Sequence, residues 1–486
     1  MSESTELPGI GRAIWPLAVV VVAGAIMSIL DTTIVNVAIE TLSVDLKSPI
    51  ESVQWVVTGY MLALAAVIPV TGWAARRLGT RRLYLISLVL FTLGSLLCGF
   101  AWSTNSLIAF RVLQGLGGGM LMPTGMIILA RAAGPHRMGR ILSIVGVPMV
   151  LAPVFGPVTG GLLVEHLGWR WIFFVNIPVG IVTVALAWKL LPVGRAEAAG
   201  KLDVRGLVLL ATGLPALTYG LAKAGSGAGF GSAQALAPMA IGLLLTAAFV
   251  VHSLRSHNPL LNVRLYANRA FAAASATTFF LGASLFGAMI LLPLYFQVVR
   301  GDSGVRTGLL LVPQSLGAAV SMPLAGRLAD RYGGGPVALA GVIVSALSTL
   351  PLAFVSAGTP VWEIEASLLA RGLGIGLAMM PAMSAAYAVL RPEQIADATP
   401  QLTVVQRVGG SIGTAVLAVV LGTALTGATG PEATSAAFAS AYWWAFGITL
   451  VAVIPAIVLL LAERHSRRFK SEERSEAATE AALEAA

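Results

Sequence analysis

The sequence predicts an all-α integral membrane protein with about fourteen transmembrane helices, arranged as two six-helix halves and two inserted helices. Three observations support this fold class. Charged residues are only 11% of the 486 residues, whereas soluble domains are about a quarter charged. Apolar runs of about 20 residues recur along the chain, and short motifs repeat at a spacing near 254 residues. An ordinary soluble protein is therefore excluded.

The apolar runs must be helices, because backbone polar groups in lipid have to be satisfied within the segment. A barrel would show alternating segments of about ten residues, which this chain lacks. The first run is predicted to be a span and not a cleaved signal peptide, because Glu3 and Glu6 precede it and it is too long. The candidate spans are 14–40, 52–73, 83–101, 105–130, 140–163, 171–191, 206–222, 236–255, 270–297, 307–329, 337–356, 362–390, 400–424 and 438–462.

The net charge of +9 would suggest nucleic-acid binding in a soluble protein, but here membrane orientation explains it. With both termini in the cytoplasm, 23 of the 31 Lys and Arg residues fall on the cytoplasmic side. We therefore expect a multi-pass protein of the cytoplasmic (inner) membrane with both termini inside and no nucleic-acid partner. The basic start of the C-terminal tail is expected to contact anionic lipids.

An internal repeat defines the domain organisation. GWAARRLGTRR at 72–82 aligns with GRLADRYGGGP at 326–336, and GLGGG at 115–119 aligns with GLGIG at 372–376. Six helices need about 200 residues, so the larger spacing leaves room for two inserted helices. The predicted segments are a cytoplasmic N-terminus at 1–13, an N-terminal half at 14–192, the insertion at 193–265, a C-terminal half at 266–463 and a cytoplasmic tail at 464–486.

Three strings, taken in order, resemble the major facilitator superfamily, and specifically its fourteen-helix drug:proton antiporters of the EmrB/QacA type. LDTTIVNVAIE at 30–40 is similar to the Asp-containing signature of the first helix. RVLQGLGGG at 111–119 is similar to the fourth-helix motif with its basic residue, and APVFGPVTGG at 152–161 to the fifth-helix motif associated with antiport. The resemblance extends to about residue 463 and implies the major facilitator fold.

The sequence departs from the family pattern at two positions. The loop motif after the second helix commonly has Asp where this chain has Arg76, and Glu40 stands where the signature commonly has proline. We expect a reversed arrangement in which Arg76 or Arg77 pairs with Asp397 when the inner side closes. The predicted gating residues also include the second-half copy and the fifth-helix motif, namely Asp330, Arg331, Gly156, Pro157, Gly160 and Gly161.

Asp31 lies inside the first span, where an unpaired carboxylate costs about 2.5–3.5 kcal/mol. It is interpreted as a protonation site, with Arg111 of the fourth span as its partner, because burial favours the neutral acid and a nearby cation favours the carboxylate. Arginine itself cannot release the transported proton. The alternatives are that Asp31 is tied permanently into helix packing and that Arg111 holds backbone carbonyls at a kink.

Further charged residues lie in or near the spans. Arg371 is a candidate for lining the cavity, whereas a structural role is favoured for Arg407. Glu40 follows Asp31 by nine residues and falls on the opposite face of a straight helix. Glu363 and Glu365 are expected at the membrane interface.

The substrate cavity is expected between the halves. Phe279 and Phe286 share one face of the ninth span and could stack on an aromatic or cationic substrate, although such a pair more often faces lipid or core. The complete set of predicted cavity residues is Gln54, Trp55, Tyr60, Phe279, Phe286, Gln314 and Arg371.

The resemblance implies a proton-coupled antiporter that exports amphipathic drug-like compounds, as in multidrug or antibiotic efflux. The alternative is export of an endogenous lipid or secondary metabolite on the same fold; a membrane-embedded enzyme or a sensor without transport is disfavoured, because no catalytic constellation is found. No metal-ligand spacing and no P-loop are present, so a proton gradient and no cofactor is expected. We expect a monomer, and nothing in the chain indicates a periplasmic adaptor.

Overall fold

The computed structural model describes residues 14–133, 138–193, 200–225 and 229–465, and every regular element in these ranges is a helix. The membrane-length helices are α1 Ile14–Val37, α2 Ser52–Leu78, α3 Thr80–Gly99, α4 Thr104–Ala132, α5 Met138–Leu167, α6 Trp171–Leu190, α7 Val204–Lys223, α8 Ala233–Arg255, α9 Arg269–Val299, α10 Arg306–Tyr332, α11 Gly334–Phe354, α12 Val361–Ala388, α13 Pro392–Leu425 and α14 Pro431–His465.

Thirteen of these helices are long and apolar enough to cross a membrane. The other, α5, is 30 residues long and has no charged residue between Arg140 and Glu165. The predicted number of about fourteen spans is therefore confirmed in the described part of the chain.

Several of the approximate span boundaries differ from the helix ends in the structure; the largest differences are at the thirteenth and fourteenth spans, which were predicted to start near 400 and 438 and start at Pro392 and Pro431. The first span ends at Val37 and not at residue 40, and a separate short helix, Ile39–Asp45, follows it. Glu40 is exposed at the start of this short helix, so its charge lies beyond the apolar run. The second helix continues past residue 73 to Leu78, because the first residue that leaves the helical conformation is Gly79, with a φ of 80°.

The sequence repeat corresponds to a repeated set of helix contacts. A side chain added at Gly115 of α4 would meet the backbone oxygen of Tyr60 in α2, and one added at Gly372 of α12 would meet that of Gln314 in α10. Glycines follow the repeat because they allow helix backbones to approach closely in lipid. Both pairs have the spacing that the motifs predicted, 254 and 257 residues, so the two halves use the same packing.

The inserted helices α7 and α8 connect the two halves on one side of the bundle. Trp73 of α2 donates its indole N–H to the backbone oxygen of Gly200, just before α7, at 3.1 Å. Gln401 of α13 donates to the backbone oxygen of Asn262, just after α8, at 3.2 Å. The insertion is therefore anchored to α2 in the first half and to α13 in the second.

Asp203 holds the insertion together at the start of α7. Burial alone would raise the pKa of this carboxyl group, but hydrogen bonds from the backbone amides of Gly206 and Leu260 and from the His252 ring hold its pKa below the usual range. Its side chain caps α7 and links α8 to the segment that follows.

The two halves share a hydrophobic cluster at one end of the bundle. We call the end that carries the start of α1 and the end of α14 the termini side. One hydrophobic cluster contains residues of both halves, among them Leu142 and Met322, and Gly146 lies against Met322. Two other clusters are separate, one around Phe173 in the first half and one around Phe438 in the second. This conformation is closed at the termini side.

We predict that Gly372→Ala destabilises the protein by about 1–3 kcal/mol, because the added methyl group overpacks the contact with α10. Gly422→Ala in α13 is the matched control, since no atom lies within 4 Å of the added methyl position. The thermal unfolding midpoints of the detergent-solubilised variants measure the difference. Equal midpoints for the two variants would contradict the packing argument.

Candidate functional site

A buried ion pair joins α1 and α4. Asp31 and Arg111 are each 0% exposed, and the Oδ2 atom of Asp31 lies 2.6 Å from Nη1 of Arg111. The Oδ1 atom of Asp31 accepts hydrogen bonds from the amide groups of Gln114, at 2.9 Å, and Asn176, at 3.2 Å. A carboxylate at this depth is stable only if its oxygens are paired in this way. The structure thus places Asp31 and Arg111 together, as the sequence suggested.

Arg111 is held from several directions. Its Nε atom donates to the backbone oxygen of Val56 at 3.2 Å, and Nη1 donates also to Gln114 at 2.7 Å. The guanidinium group lies 4.0 Å from the ring centre of Tyr60, a distance at which the ring face attracts a cation. Its Nη2 atom is buried without a hydrogen-bond partner among the described residues.

A second layer of hydrogen bonds fixes this ion pair. Ser95 donates to the backbone oxygen of Phe173 at 2.9 Å and accepts from Asn176 at 3.1 Å. The hydroxyl groups of Ser28 and Tyr60 are 3.3 Å apart. Protonation of Asp31 would therefore change more than one contact, because a carboxyl oxygen that gains a proton becomes a donor facing the N–H groups around it.

Two members of this site, Gln114 and Asn176, were not predicted from the sequence. Gln114 lies three residues after Arg111 and so shares its helix face, and Asn176 is an amide inside the apolar sixth span. Both carried the same signal as Asp31, a polar side chain within a membrane-length apolar run, and that signal could have identified them.

The second half has an equivalent polar cluster with different chemistry. Arg371 is 1% exposed and donates to Gln314 at 3.1 Å, to Thr349 at 3.2 Å and to the backbone oxygen of Ser284 at 2.9 Å. By the repeat spacing, Arg371 corresponds to Gln114 of the first half. All these partners are neutral, so in the described residues this cluster pairs its cation with dipoles and not with a carboxylate.

The predicted cavity residues do not form one surface. Tyr60 is 0% exposed beneath Arg111, and Arg371 is sealed in the second half, so neither is open to a cargo in this conformation. Gln54 and Trp55 are exposed, but the Trp55 ring stacks on Tyr219 of the inserted helix α7, with ring centres 5.7 Å apart. The outer part of α2 thus faces the insertion.

The two phenylalanines of α9 lie against α13. A side chain added at Gly409 would meet the backbone of Phe279, and one added at Gly410 would meet the Phe286 ring. Phe279 is partly buried, whereas Phe286 is 39% exposed. Gln314 is partly buried and bound to Arg371. Phe286 is therefore the more exposed phenylalanine of this pair.

The closed side carries an ion pair between the halves. Arg76, at the end of α2, pairs with Asp397, at the start of α13, and each side chain is 20% exposed. Arg77 points outward and is exposed, so Arg76 is the arginine that makes this contact. In the second-half copy Asp330 is partly buried and Arg331 is exposed beside the Tyr332 ring.

The fifth-helix motif packs against α1. Gly156 lies against Thr33, and Gly160 lies against Ile34. Gly161 has no atom of another segment close to it. The side chain of Pro157 lies outside the described residues. The glycines that contact α1 therefore bring α5 close to the segment that carries Asp31.

A cavity of about 270 Å³ lies on the termini side. Trp73, Arg76, Asp203 and Asp397 are among the residues that line it. It lies where the insertion meets the pair of Arg76 and Asp397, and neither Asp31 nor its partners line it. This cavity therefore belongs to the closed termini side and is separate from the buried ion pair of Asp31 and Arg111.

Comparison with known proteins identifies similar sequences over most of the chain. The profile described as Major Facilitator Superfamily matches residues 21–414. A Multidrug resistance protein B homolog of Mycobacterium tuberculosis is 44% identical over 405 residues, which are 83% of this chain and 75% of that protein. The Multidrug export protein EmrB of Haemophilus influenzae is 31% identical, over 84% of this chain and 80% of that protein.

The chain is also similar to an antibiotic exporter and to a solved transporter structure. The Tetracenomycin C resistance and export protein of Streptomyces glaucescens is 30% identical, over 86% of this chain and 78% of that protein. The crystal structure of the human organic anion transporter MFSD10 superposes with a TM-score of 0.65 at 15% identity, over 91% of this chain and 99% of that chain. At this identity the structural similarity establishes the fold alone.

If Arg76 and Asp397 stabilise the closed conformation through their opposite charges, exchanging the two charges should preserve that conformation. Arg76→Asp places two acids together and should shift the protein toward the conformation that is open on the termini side. Adding Asp397→Arg should restore the closed conformation. A pair at the water boundary is worth about 0–1 kcal/mol, so the shift should be a few-fold change in population. The labelling rate of a reporter cysteine on the closed side of α10 measures it, and additive effects without rescue would show that the two positions do not interact.

Proposed function

Because the chain belongs to the major facilitator superfamily, we propose that it is a transporter that exports amphipathic drug-like compounds from the cell in exchange for protons. Relatives named for multidrug resistance and antibiotic export support the cargo class. The observation that carries the coupling mechanism is the buried ion pair of Asp31 and Arg111. In this proposal the proton gradient is the energy source and no cofactor is needed.

The ion pair can couple protonation to helix movement. With Asp31 ionised, the site is neutral as a whole and α1, α4 and α6 are linked through the contacts of Asp31 with Arg111 and Asn176. Protonation of Asp31 leaves the Arg111 charge without its counterion in a low-dielectric site, which is strongly unfavourable. Arg111 must then find new partners. Protonation would thereby favour a different arrangement of these helices.

The conformation fits one stage of such a cycle. The halves contact each other on the termini side, and we propose that this side is cytoplasmic because it carries most of the Lys and Arg residues. The protein would then be closed to the cytoplasm. A ligand or proton changes the balance of two conformations only through different affinities for them, and Asp31 supplies such a difference for the proton.

We predict that Asp31→Asn abolishes proton-driven export while the protein still folds, because asparagine resembles the protonated acid that the cycle must visit. Asp45→Asn is the control: it makes the same chemical change at an acid that contacts Trp169 outside the site. Uptake of fluorescent amphipathic dyes into everted vesicles, with and without a pH gradient, measures transport, and size-exclusion profiles report folding. Gradient-dependent uptake by Asp31→Asn at the wild-type rate would contradict the proposed proton site.

The proposed orientation predicts which side of the membrane each exposed loop faces. Gly358 and Asn258 are both exposed and lie at opposite ends of the bundle. A cysteine introduced at 358 in a Cys98→Ala background should react with an impermeant thiol reagent added to intact cells. A cysteine at 258 should react only after the membrane is permeabilised. Labelling of position 258 in intact cells would reverse the orientation.

A further inference from the structure

The charges near the middle of the membrane do not balance. Among the described residues, those far from the ends of their helices include one acid, Asp31, and three arginines, Arg111, Arg371 and Arg407. Asp31 is matched by Arg111, and both are sealed from solvent. Arg371 is sealed among neutral oxygens. The interior therefore keeps positive charge that the protein does not neutralise.

Of these three arginines, Arg407 is the one with an exposed side chain. It lies 15 residues after the start of α13 at Pro392, near the middle of the span. Its side chain is exposed, yet protein surrounds it and Tyr60 of the first half is close enough to interact with it electrostatically. A solvent-accessible side chain with protein of both halves around it therefore faces a space between the halves, here called the central cavity, and not the lipid.

Arg407 has no hydrogen bond or ion pair with any described residue. A cation near the bilayer centre is costly and normally has a partner. The charged pair on the other side of Tyr60 does not supply that partner, because Arg111 is itself a cation and the oxygens of Asp31 are already bound to Arg111, Gln114 and Asn176. An anion entering the cavity would supply the missing partner.

An aromatic ring packs about one helical turn from this cation. Phe286 is 39% exposed and its ring packs at Gly410, which follows Arg407 by three residues and so lies on a neighbouring part of the same helix face. The combination of a forked guanidinium group and an open phenyl ring suits a cargo with an anionic group on an apolar or aromatic body.

We propose that the cargo is an amphipathic organic anion, bearing a carboxylate or a comparable acidic group, and that Arg407 receives its charge. This inference rests on the proposed export function and names its substrate class. The low-dielectric walls of the cavity strengthen the attraction of Arg407 for an anion. Exchange of an exported anion for an imported proton moves charge in the direction that a negative-inside membrane potential favours.

The test uses two xanthene dyes of opposite charge, anionic fluorescein and cationic rhodamine 123, with the full-length protein in nanodiscs. We expect the wild type to bind fluorescein, Arg407→Gln to weaken that binding about tenfold, and Arg407→Lys to weaken it less because the charge remains. Arg306→Gln is the matched control, since Arg306 is 65% exposed at the start of α10 and pairs with Asp302. Binding of rhodamine 123 should not weaken in Arg407→Gln.

Two results would overturn the proposal without contradicting the export function. One is an unchanged fluorescein affinity in Arg407→Gln, and the other is a wild type that binds rhodamine 123 but not fluorescein. Fluorescein binding through Arg407 without proton-dependent export in vesicles would instead contradict the export function alone. Competition by dioctanoyl phosphatidylglycerol, compared with dioctanoyl phosphatidylcholine, distinguishes an anionic lipid from a soluble acid as the source of the anion. Competition equally strong from both lipids would count against charge recognition.

Discussion

The first half of this protein depends on satisfying one carboxylate inside the membrane. Asp31 could not remain ionised in an apolar helix bundle without Arg111, and removal of one partner from such a buried pair typically costs about 3–5 kcal/mol. The pair dictates what surrounds it: Gln114 and Asn176 use the remaining lone pairs of the carboxylate, and Ser95 orients Asn176. An interaction this restrictive is stable in one charge state and is disturbed when that state changes, which is the property that a coupling site requires.

Both halves pack in the same way but do not carry the same charges. Gly115 and Gly372 make the same close contact between equivalent helices, because close helix approach in lipid requires small residues wherever it occurs. At positions that do not set the distance between helix backbones, the side chains of the two halves can differ in charge and polarity. At one repeated position the first half has Gln114, which binds the titratable acid Asp31. The second half has Arg371 at that position, which is a fixed cation.

Closure of the termini side combines two kinds of contact. Apolar packing around Met322 excludes water over a wide area, whereas the pair of Arg76 and Asp397 is partly exposed and contributes little energy. The inserted helices α7 and α8 join this region, since their ends are bonded to Trp73 and Gln401. A strong ion pair here would hold one conformation; a weak one allows two conformations of similar free energy to exchange.

The sequence by itself determined the class of fold, the number of spans, the repeat, and the identity of Asp31 and Arg111 as buried charges, because lipid imposes length, polarity and pairing rules that apply residue by residue. It also predicted that Asp31 pairs with Arg111 and that Arg76 or Arg77 pairs with Asp397, but it did not identify the other polar groups that meet. Gln114 of α4 and Asn176 of α6 bind the Asp31 carboxylate, and Ser95 of α3 binds Asn176. Trp55 faces an inserted helix and not the space between the halves, and Arg407 is exposed while Arg371 is buried. Helix rotation and the relative position of the two halves decide these outcomes, and both are set by packing between segments that are distant in the chain.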